Sequence, residues 1–168
     1  MYDPNIHHRR SIRLPGYDYT QAGVYFVTVC VQERACLLGR ISDSQMQESA
    51  AGQMVRTAWA QIPIQYPGVD IGQSIIMPNH VHGILVLTES AQKNVSLSLP
   101  DVLQRWKSWT TTLYRHGVHE QAWPPFPARL WQRNYYERIV RDEDEWRAVQ
   151  DYIINNPARW QTDEEHIP

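Results

Sequence analysis

The stretch VDIGQSIIMPNHVHGILVL, residues 69–87, decides the reading of this chain. Val69 to Met77 and His80 to Leu87 are rich in β-branched and apolar residues, and Pro78-Asn79 between them is a turn signal. Two strands joined so tightly lie antiparallel. One residue separates His80 from His82, so on a strand both imidazoles project to one face while Val81 takes the other. Their Cα atoms stand about 7 Å apart, close enough for two neutral imidazoles to share one divalent ion. A His-x-His pair alone is a common accident of sequence. Here it opens a buried strand directly after a turn, where a site can meet solvent.

Upstream, Val24 to Val31 (VYFVTVCV) reads as another buried strand. Between them, Met46, Ala50, Met54, Val55, Ala58 and Trp59 recur near helical spacing, which predicts a helix over Ser44–Ile62, stopped by Pro63. Downstream, polar residues 88–98 form a loop. Pro100-Asp101 then starts a helix through about His116, with Val102, Trp106, Trp109 and Leu113 near one stripe. Three prolines make Trp123–Pro127 irregular, and Arg129–Trp131 supplies a short fourth strand. Asp142–Asn156 is the last helix: acidic residues crowd its first turn, where the helix dipole favours them, and Asn155-Asn156-Pro157 ends it. The order βαββαβα is that of an α+β, ferredoxin-like antiparallel sheet with helices on one face and one added C-terminal helix. A chain of 168 residues fits a single domain over 1–168, with a polar arm at 1–23 and a short acidic tail at 158–168.

The totals narrow the function. Cys30 and Cys36 are too few for a disulfide framework or a closed zinc site, and Cys30 in its apolar run reads as a buried free thiol. No run approaches the roughly 20 apolar residues of a membrane span, so the expectation is a soluble cytoplasmic protein. The net charge of −2 argues against a strongly basic nucleic-acid binder, yet arginines cluster at both ends of the fold. Arg9, Arg10 and Arg13 lie in the arm, and Arg105, Lys107, Arg129, Arg133 and Arg138 in the second half. The 7 Trp and 9 Tyr against 2 Phe suit either a large aromatic core or surfaces on which bases stack.

Tyr152 and Asn156 are four apart on the last helix and so share a face. Tyr152 is either a core aromatic or a nucleophile; with a pKa of about 10 its hydroxyl needs help at neutral pH, which a divalent ion on a neighbouring phosphate can give. Asn156 is either a helix terminator before Pro157 or a hard oxygen ligand joining His80 and His82.

The segments MPNHVHGILVL (77–87) and WQRNYYERIVRDEDEWRAVQDYIINNP (131–157) resemble the REP-associated tyrosine transposases, a branch of the single-tyrosine HUH nucleases. The opening RRSIRLPGYDYTQAGVYFVTVCVQER (9–34) resembles that family as well, so the likeness runs from Arg9 to Pro157. The resemblance implies that His80 and His82 are the paired histidine ligands, Asn156 the asparagine ligand and Tyr152 the nucleophile, ahead of Tyr135 and Tyr136. It implies attack on single-stranded DNA, a 5′-phosphotyrosine link and a free 3′-hydroxyl that can rejoin DNA, with no ATP and no Walker loop. The expected cofactor is Mg²⁺ or Mn²⁺ on ligand hardness. The expected partner is a REP-like hairpin with a flanking tetranucleotide, read in part by Arg9, Arg10, Arg13 and Tyr17. Arg105, Lys107 and Arg133, with Trp106 and Trp109 nearby, are further candidates for DNA contact, and a monomer is expected. The rival readings are a catalytically silent hairpin-binding protein and a hydrolase that activates water and forms no covalent link.

Overall fold

The computed structural model describes residues 22–88 and 97–166. The arm residues Arg9, Arg10, Arg13 and Tyr17 lie outside them. Four strands, β1 (Gly23–Cys30), β4 (Val69–Ile76), β5 (His80–Leu87) and β6 (Tyr136–Val140), form one antiparallel sheet in the order β4-β5-β1-β6. With helices between β1 and β4 and between β5 and β6, this is the split βαβ arrangement of the ferredoxin-like fold.

Strand periodicity sorts the sheet into two faces. Tyr25, Val27 and Val29 of β1 and Val81, Leu85 and Leu87 of β5 join one core. Over it pack α1 (Ala50–Ala60) and α3 (Leu99–Gln121), which meet through an edge-to-face contact of Trp59 and Trp106 with ring centroids 5.2 Å apart. Phe26, Ile84 and Val140 face the other way and pack under α4 (Glu143–Asn155) through Val149 and Ile153. His80 and His82 keep the parity of Ile84, so they too look toward α4. The helices therefore take both faces, with the added one closing over the histidines.

Gly83 belongs to the first face. A Cβ there would fall inside the Trp59 ring, with Cε2 2.8 Å away, and Trp59 is buried against Trp106. Gly83→Ala is expected to cost about 1–3 kcal/mol through overpacking, read as a lowered urea midpoint. A midpoint matching the parent would mean that the Trp59–Trp106 pair yields freely.

Three elements differ from the sequence expectation. The helix predicted from Ser44 begins only at Ala50, where the Ser49 side chain accepts from the Gly52 amide. Residues before it form a hairpin, β2 (Gly39–Ser42) and β3 (Gln45–Glu48), turned by Asp43 and Ser44 at φ 52° and 59°. Two adjacent positive φ angles suit a tight two-residue hairpin turn, and an aspartate tolerates them better than most residues. After α1, Ile62–Gln65 forms a separate short turn, α2. The fourth strand is not Arg129–Trp131, where Trp131 makes only an isolated bridge to Val31. It is Tyr136–Val140, whose exposed and covered residues alternate along β1. Finally, α3 runs past His116 to Gln121: Gly117 does not end it but leaves room for the Trp123 ring, and Ala122 in the left-handed region terminates it. The buried stripe of α3 is Val102, Trp106, Thr110 and Tyr114, with Trp109 and Leu113 at its margin.

The last helix falls where expected, capped by the Asp142 side chain accepting from the Glu145 amide. Cys30 is buried and free and Cys36 exposed and free, and burial first, then the nearby Glu165 carboxylate, pushes the Cys30 thiol up to about 12. No helix among the described residues is long and apolar enough to cross a membrane.

Candidate active site

His80 and His82 start β5, paired with Cys30 and Thr28 of β1. Both are buried, and their Nε2 atoms stand 2.9 Å apart. Two nitrogens each about 2.1 Å from one ion and at right angles would be separated by about 3.0 Å, so the pair is preset for adjacent positions on a metal. The other ring nitrogens are tied down. Asn79 Nδ2 donates to the carbonyls of Arg34 (3.1 Å) and Glu165 (2.8 Å), which fixes its amide and turns Oδ1 toward His80 Nδ1 at 2.8 Å. A carbonyl oxygen only accepts, so His80 carries its proton on Nδ1 and presents a lone pair at Nε2. His82 Nδ1 lies 2.8 Å from the Thr28 hydroxyl. Such anchoring of the far ring nitrogen is how ligand histidines are oriented.

Burial, then the Arg34 guanidinium, lowers the His80 pKa to about 3, opposed in part by Asn156. Burial and His80 hold His82 well below its usual range, opposed by Asp163. Both imidazoles are thus neutral at any working pH, the state a ligand needs.

Tyr152 projects from α4 into the same place. Its hydroxyl is 3.5 Å from His82 Nε2, its ring 5.2 Å from the His82 ring, and Phe26 stacks on His82 while meeting Tyr152 edge-on at 5.9 Å. Phe26 therefore spaces the nucleophile candidate from its neighbour. Tyr152 is 38% exposed and borders a cavity of about 390 Å³ that reaches His82, Tyr136, Arg138 and Asp163, so the hydroxyl is open to a ligand. Burial and the Asp163 charge raise its pKa, with Asn156 opposing; the metal-free surroundings favour the protonated phenol.

Asn156 is buried one turn after Tyr152. Its Nδ2 donates to Asp163 Oδ2 at 2.9 Å, which leaves Oδ1 buried with no hydrogen-bond partner among the described residues. Asn156 stands at the C-cap of α4, and its orphaned amide oxygen is also free to serve as a ligand beside the imidazole nitrogens. A carboxylate joins it: the donor atoms of His80, His82 and Asp163 lie within 4.8 Å of one another. The residues present fit a hard divalent cation with mixed nitrogen and oxygen donors.

Of the sequence-predicted residues, the structure brings together His80, His82, Tyr152 and Asn156. Tyr135 lies before β6 and Tyr136 begins it; Tyr136 lines the same cavity, half exposed. Arg105 and Arg133 are exposed, away from the histidines on the α3 side. Lys107 is engaged internally: Nζ donates to the carbonyls of Gln132 (2.6 Å) and Arg133 (3.0 Å), and burial lowers its pKa to about 8. Trp106 is wholly buried in the core. Sequence reading missed Phe26, Thr28, Asn79, Arg34 and Asp163. Thr28 carried a signal, as the one aliphatic hydroxyl in a strand otherwise apolar and aromatic. Asn79 adjoins His80 in the chain but read only as part of the turn, and Phe26, Arg34 and Asp163 had no signal, because only the tertiary fold brings them to the histidines.

No family model matches the chain. It is 36% identical to a Haemophilus influenzae protein named "Uncharacterized protein", covering 99% of this chain and 97% of that one. It is 23% identical to a second protein of that organism, named "Putative REP-associated tyrosine transposase", covering 84% and 74%. Among solved structures it is similar to a REP-associated tyrosine transposase bound to a REP hairpin, with a TM-score of 0.61 at 22% identity, covering 88% and 73%. It is also similar to a chain from Deinococcus radiodurans described as a "putative transposase", with a TM-score of 0.50 at 19% identity, covering 85% and 95%. The two structural likenesses establish the fold. Fold and named relatives together support the class of the DNA transposases. Within that class its likeness in sequence and in fold is to the REP-associated tyrosine transposases.

Proposed function

We propose that this chain is a metal-dependent single-stranded DNA endonuclease and strand transferase that works through a phosphotyrosine intermediate. The observation that carries the reading is the approach of the Tyr152 hydroxyl to 3.5 Å from His82 Nε2, itself 2.9 Å from His80 Nε2, at the edge of an open cavity. His80, His82 and Asn156 would hold Mg²⁺ or Mn²⁺, which when bound offsets charge on a phosphate and favours the phenolate. Tyr152 supplies the attacking oxygen. A bond forms from Oη to phosphorus as the phenol gives up its proton to solvent, and the bond from phosphorus to the 3′-oxygen breaks, leaving a 5′-phosphotyrosine and a 3′-oxygen that takes up a proton to become the free hydroxyl. Because the covalent link conserves the phosphodiester energy, the 3′-hydroxyl of the same or another strand can reverse the step without ATP. Thr28 and Asn79 hold the imidazoles in register, and Phe26 holds Tyr152 against them.

The substrate proposed is a single-stranded hairpin of REP type with a flanking tetranucleotide. Support comes from the sequence likeness to a putative REP-associated tyrosine transposase and from the structural relative that is bound to a REP hairpin. Arg9, Arg10, Arg13 and Tyr17 are assigned to the tetranucleotide, and Arg105, Lys107 and Arg133 to the hairpin. Exposed Arg105 and Arg133 are free to meet phosphates, whereas Lys107 would act by shaping the 132–133 backbone it binds. The chain is proposed to act as a monomer in the cytoplasm.

The test is to incubate the protein with single-stranded oligonucleotides spanning palindromes around its gene. Denaturing gels should show cleavage and a protein–DNA adduct with Mn²⁺ or Mg²⁺, and neither in EDTA. Specific binding without cleavage would support a catalytically silent hairpin binder instead. Cleavage with no adduct at any time would point to activated water.

A further inference from the structure

We propose that Asp163 is a fourth protein ligand of the metal centre, carried there by a C-terminal strap that Arg34 and Asn79 fasten to the sheet. The inference rests on the metal-centre reading above and extends it to a segment beyond the helix that carries Tyr152.

After α4 the chain makes a 3-10 turn, Pro157–Thr162, and doubles back over the histidines. Trp160 packs against the His80 ring at 6.0 Å, and His166 against Trp160 at 4.8 Å. Three polar ties then hold residues 164 and 165. Arg34 Nη1 donates to the Glu164 carbonyl (3.1 Å), Arg34 Nε pairs with Glu165 Oε2 (2.9 Å), and Asn79 Nδ2 donates to the Glu165 carbonyl (2.8 Å). Asn79 is the residue that sets the His80 tautomer, so one amide registers the strap and the imidazole together. The Arg34 backbone adopts a left-handed φ of 54°, unfavourable for a non-glycine residue, at the point where its side chain reaches the strap.

The strap leaves Asp163 facing inward. Oδ1 accepts from the Glu165 amide (2.7 Å) and Oδ2 from Asn156 Nδ2 (2.9 Å). Each oxygen keeps a further acceptor site, and the group lies within 4.8 Å of the donor atoms of both histidines. An acidic turn alone would mean little. The independent observation is Asn156 Oδ1, on a residue only 1% exposed, which has no partner because Asp163 has taken the other end of the amide. The pair thus directs two oxygens, one neutral and one anionic, at two neutral nitrogens. A carboxylate gives this set the charge that neutral imidazoles and an amide lack, and inclines it to hard ions. On an octahedral ion, four protein donors leave about two positions for phosphate oxygens.

The rival role for Asp163 is to orient Asn156 and nothing more. Asp163→Asn separates the two, because the new amide still offers an oxygen to Asn156 Nδ2 but carries no charge. Titrated with Mn²⁺ by calorimetry, Asp163→Asn should bind about tenfold more weakly or worse, while Glu164→Gln stays within about twofold of the parent. Parental affinity in Asp163→Asn, with binding lost in His80→Ala, would overturn the assignment and leave the histidine centre standing. Binding retained in all the variants would sink the metal centre itself. A measurement on the unaltered protein guards against misfolding: hydrogen exchange with and without Mn²⁺. Added protection across 157–166 together with 77–87 is expected, and protection limited to 77–87 and α4 would overturn the proposal.

Discussion

Tyr152→Phe is expected to abolish both cleavage and adduct formation, a loss on the order of 10³-fold or more, while leaving Mn²⁺ affinity and fold intact. The substitution removes one oxygen. The ring remains packed against both Phe26 and the His82 imidazole, through contacts at 5.9 and 5.2 Å that do not involve the hydroxyl. The hydroxyl lies 3.5 Å from His82 Nε2, too long to contribute much to stability. Burial and Asp163 both hold the free phenol protonated, so no chemistry is expected from Tyr152 without a cation either. Metal omission and Tyr152→Phe should therefore give the same phenotype by different routes. Calorimetry distinguishes them, since the variant still binds Mn²⁺. Tyr136→Phe is the matched control: that ring lies 51% exposed at the cavity rim, and removing its hydroxyl should leave the adduct in place. An adduct persisting in Tyr152→Phe and vanishing in Tyr136→Phe would transfer the nucleophile to β6.

The parts of this site legible in the sequence are those that follow a local period. Alternation along β5 put His80 and His82 on one face, and the four-residue step along α4 put Tyr152 above Asn156; both survive in the structure. Asp163 and Arg34 escape such reasoning because they lie far apart in the chain and meet only where the strap crosses the sheet; Glu164, the strap residue whose carbonyl Arg34 holds, stands 130 positions away from it. The acidic tail reads as solvated surface until Asn79 and Arg34 are seen to hold it down. The β2–β3 hairpin was hidden for a different reason. Met46 falls in helical step with Ala50 and Met54, while Asp43-Ser44 makes the turn without the Asn-Gly signal that usually marks one. β6 was missed because Glu137 and Arg138 interrupt its apolar residues, a pattern normal for an edge strand.

The same burial that prepares the histidines as ligands should make the metal-free protein sensitive to acid. In the unfolded chain each imidazole takes up a proton near pH 6.5; in the fold His80 resists protonation down to about pH 3, and His82 is depressed as well. Between these limits the unfolded state binds more protons, so stability is full above pH 6.5 and falls as the pH is lowered toward the folded pKa. Lowering the pH from 7 to 4.5 should remove about 3 kcal/mol through His80 alone, a large share of the 5–15 kcal/mol typical of a domain. Asp101, through its hydrogen bonds with Ser98, and Glu145, through those from Arg141 and Arg138, have lowered pKa values, so their contributions are lost mainly below this interval. The measurement is the urea midpoint in EDTA at pH 7, 6, 5 and 4.5 for the parent and for His80→Asn. The asparagine variant starts lower at pH 7, without ring packing against Trp160, but should show a visibly shallower fall. Mn²⁺ should oppose the fall in the parent, since an ion bound only to the neutral imidazoles adds stability to the folded state. Parallel slopes in parent and variant would mean that His80 protonates freely in the fold. That would in turn contradict the tautomer which Asn79 imposes and with it the presentation of Nε2 to a metal.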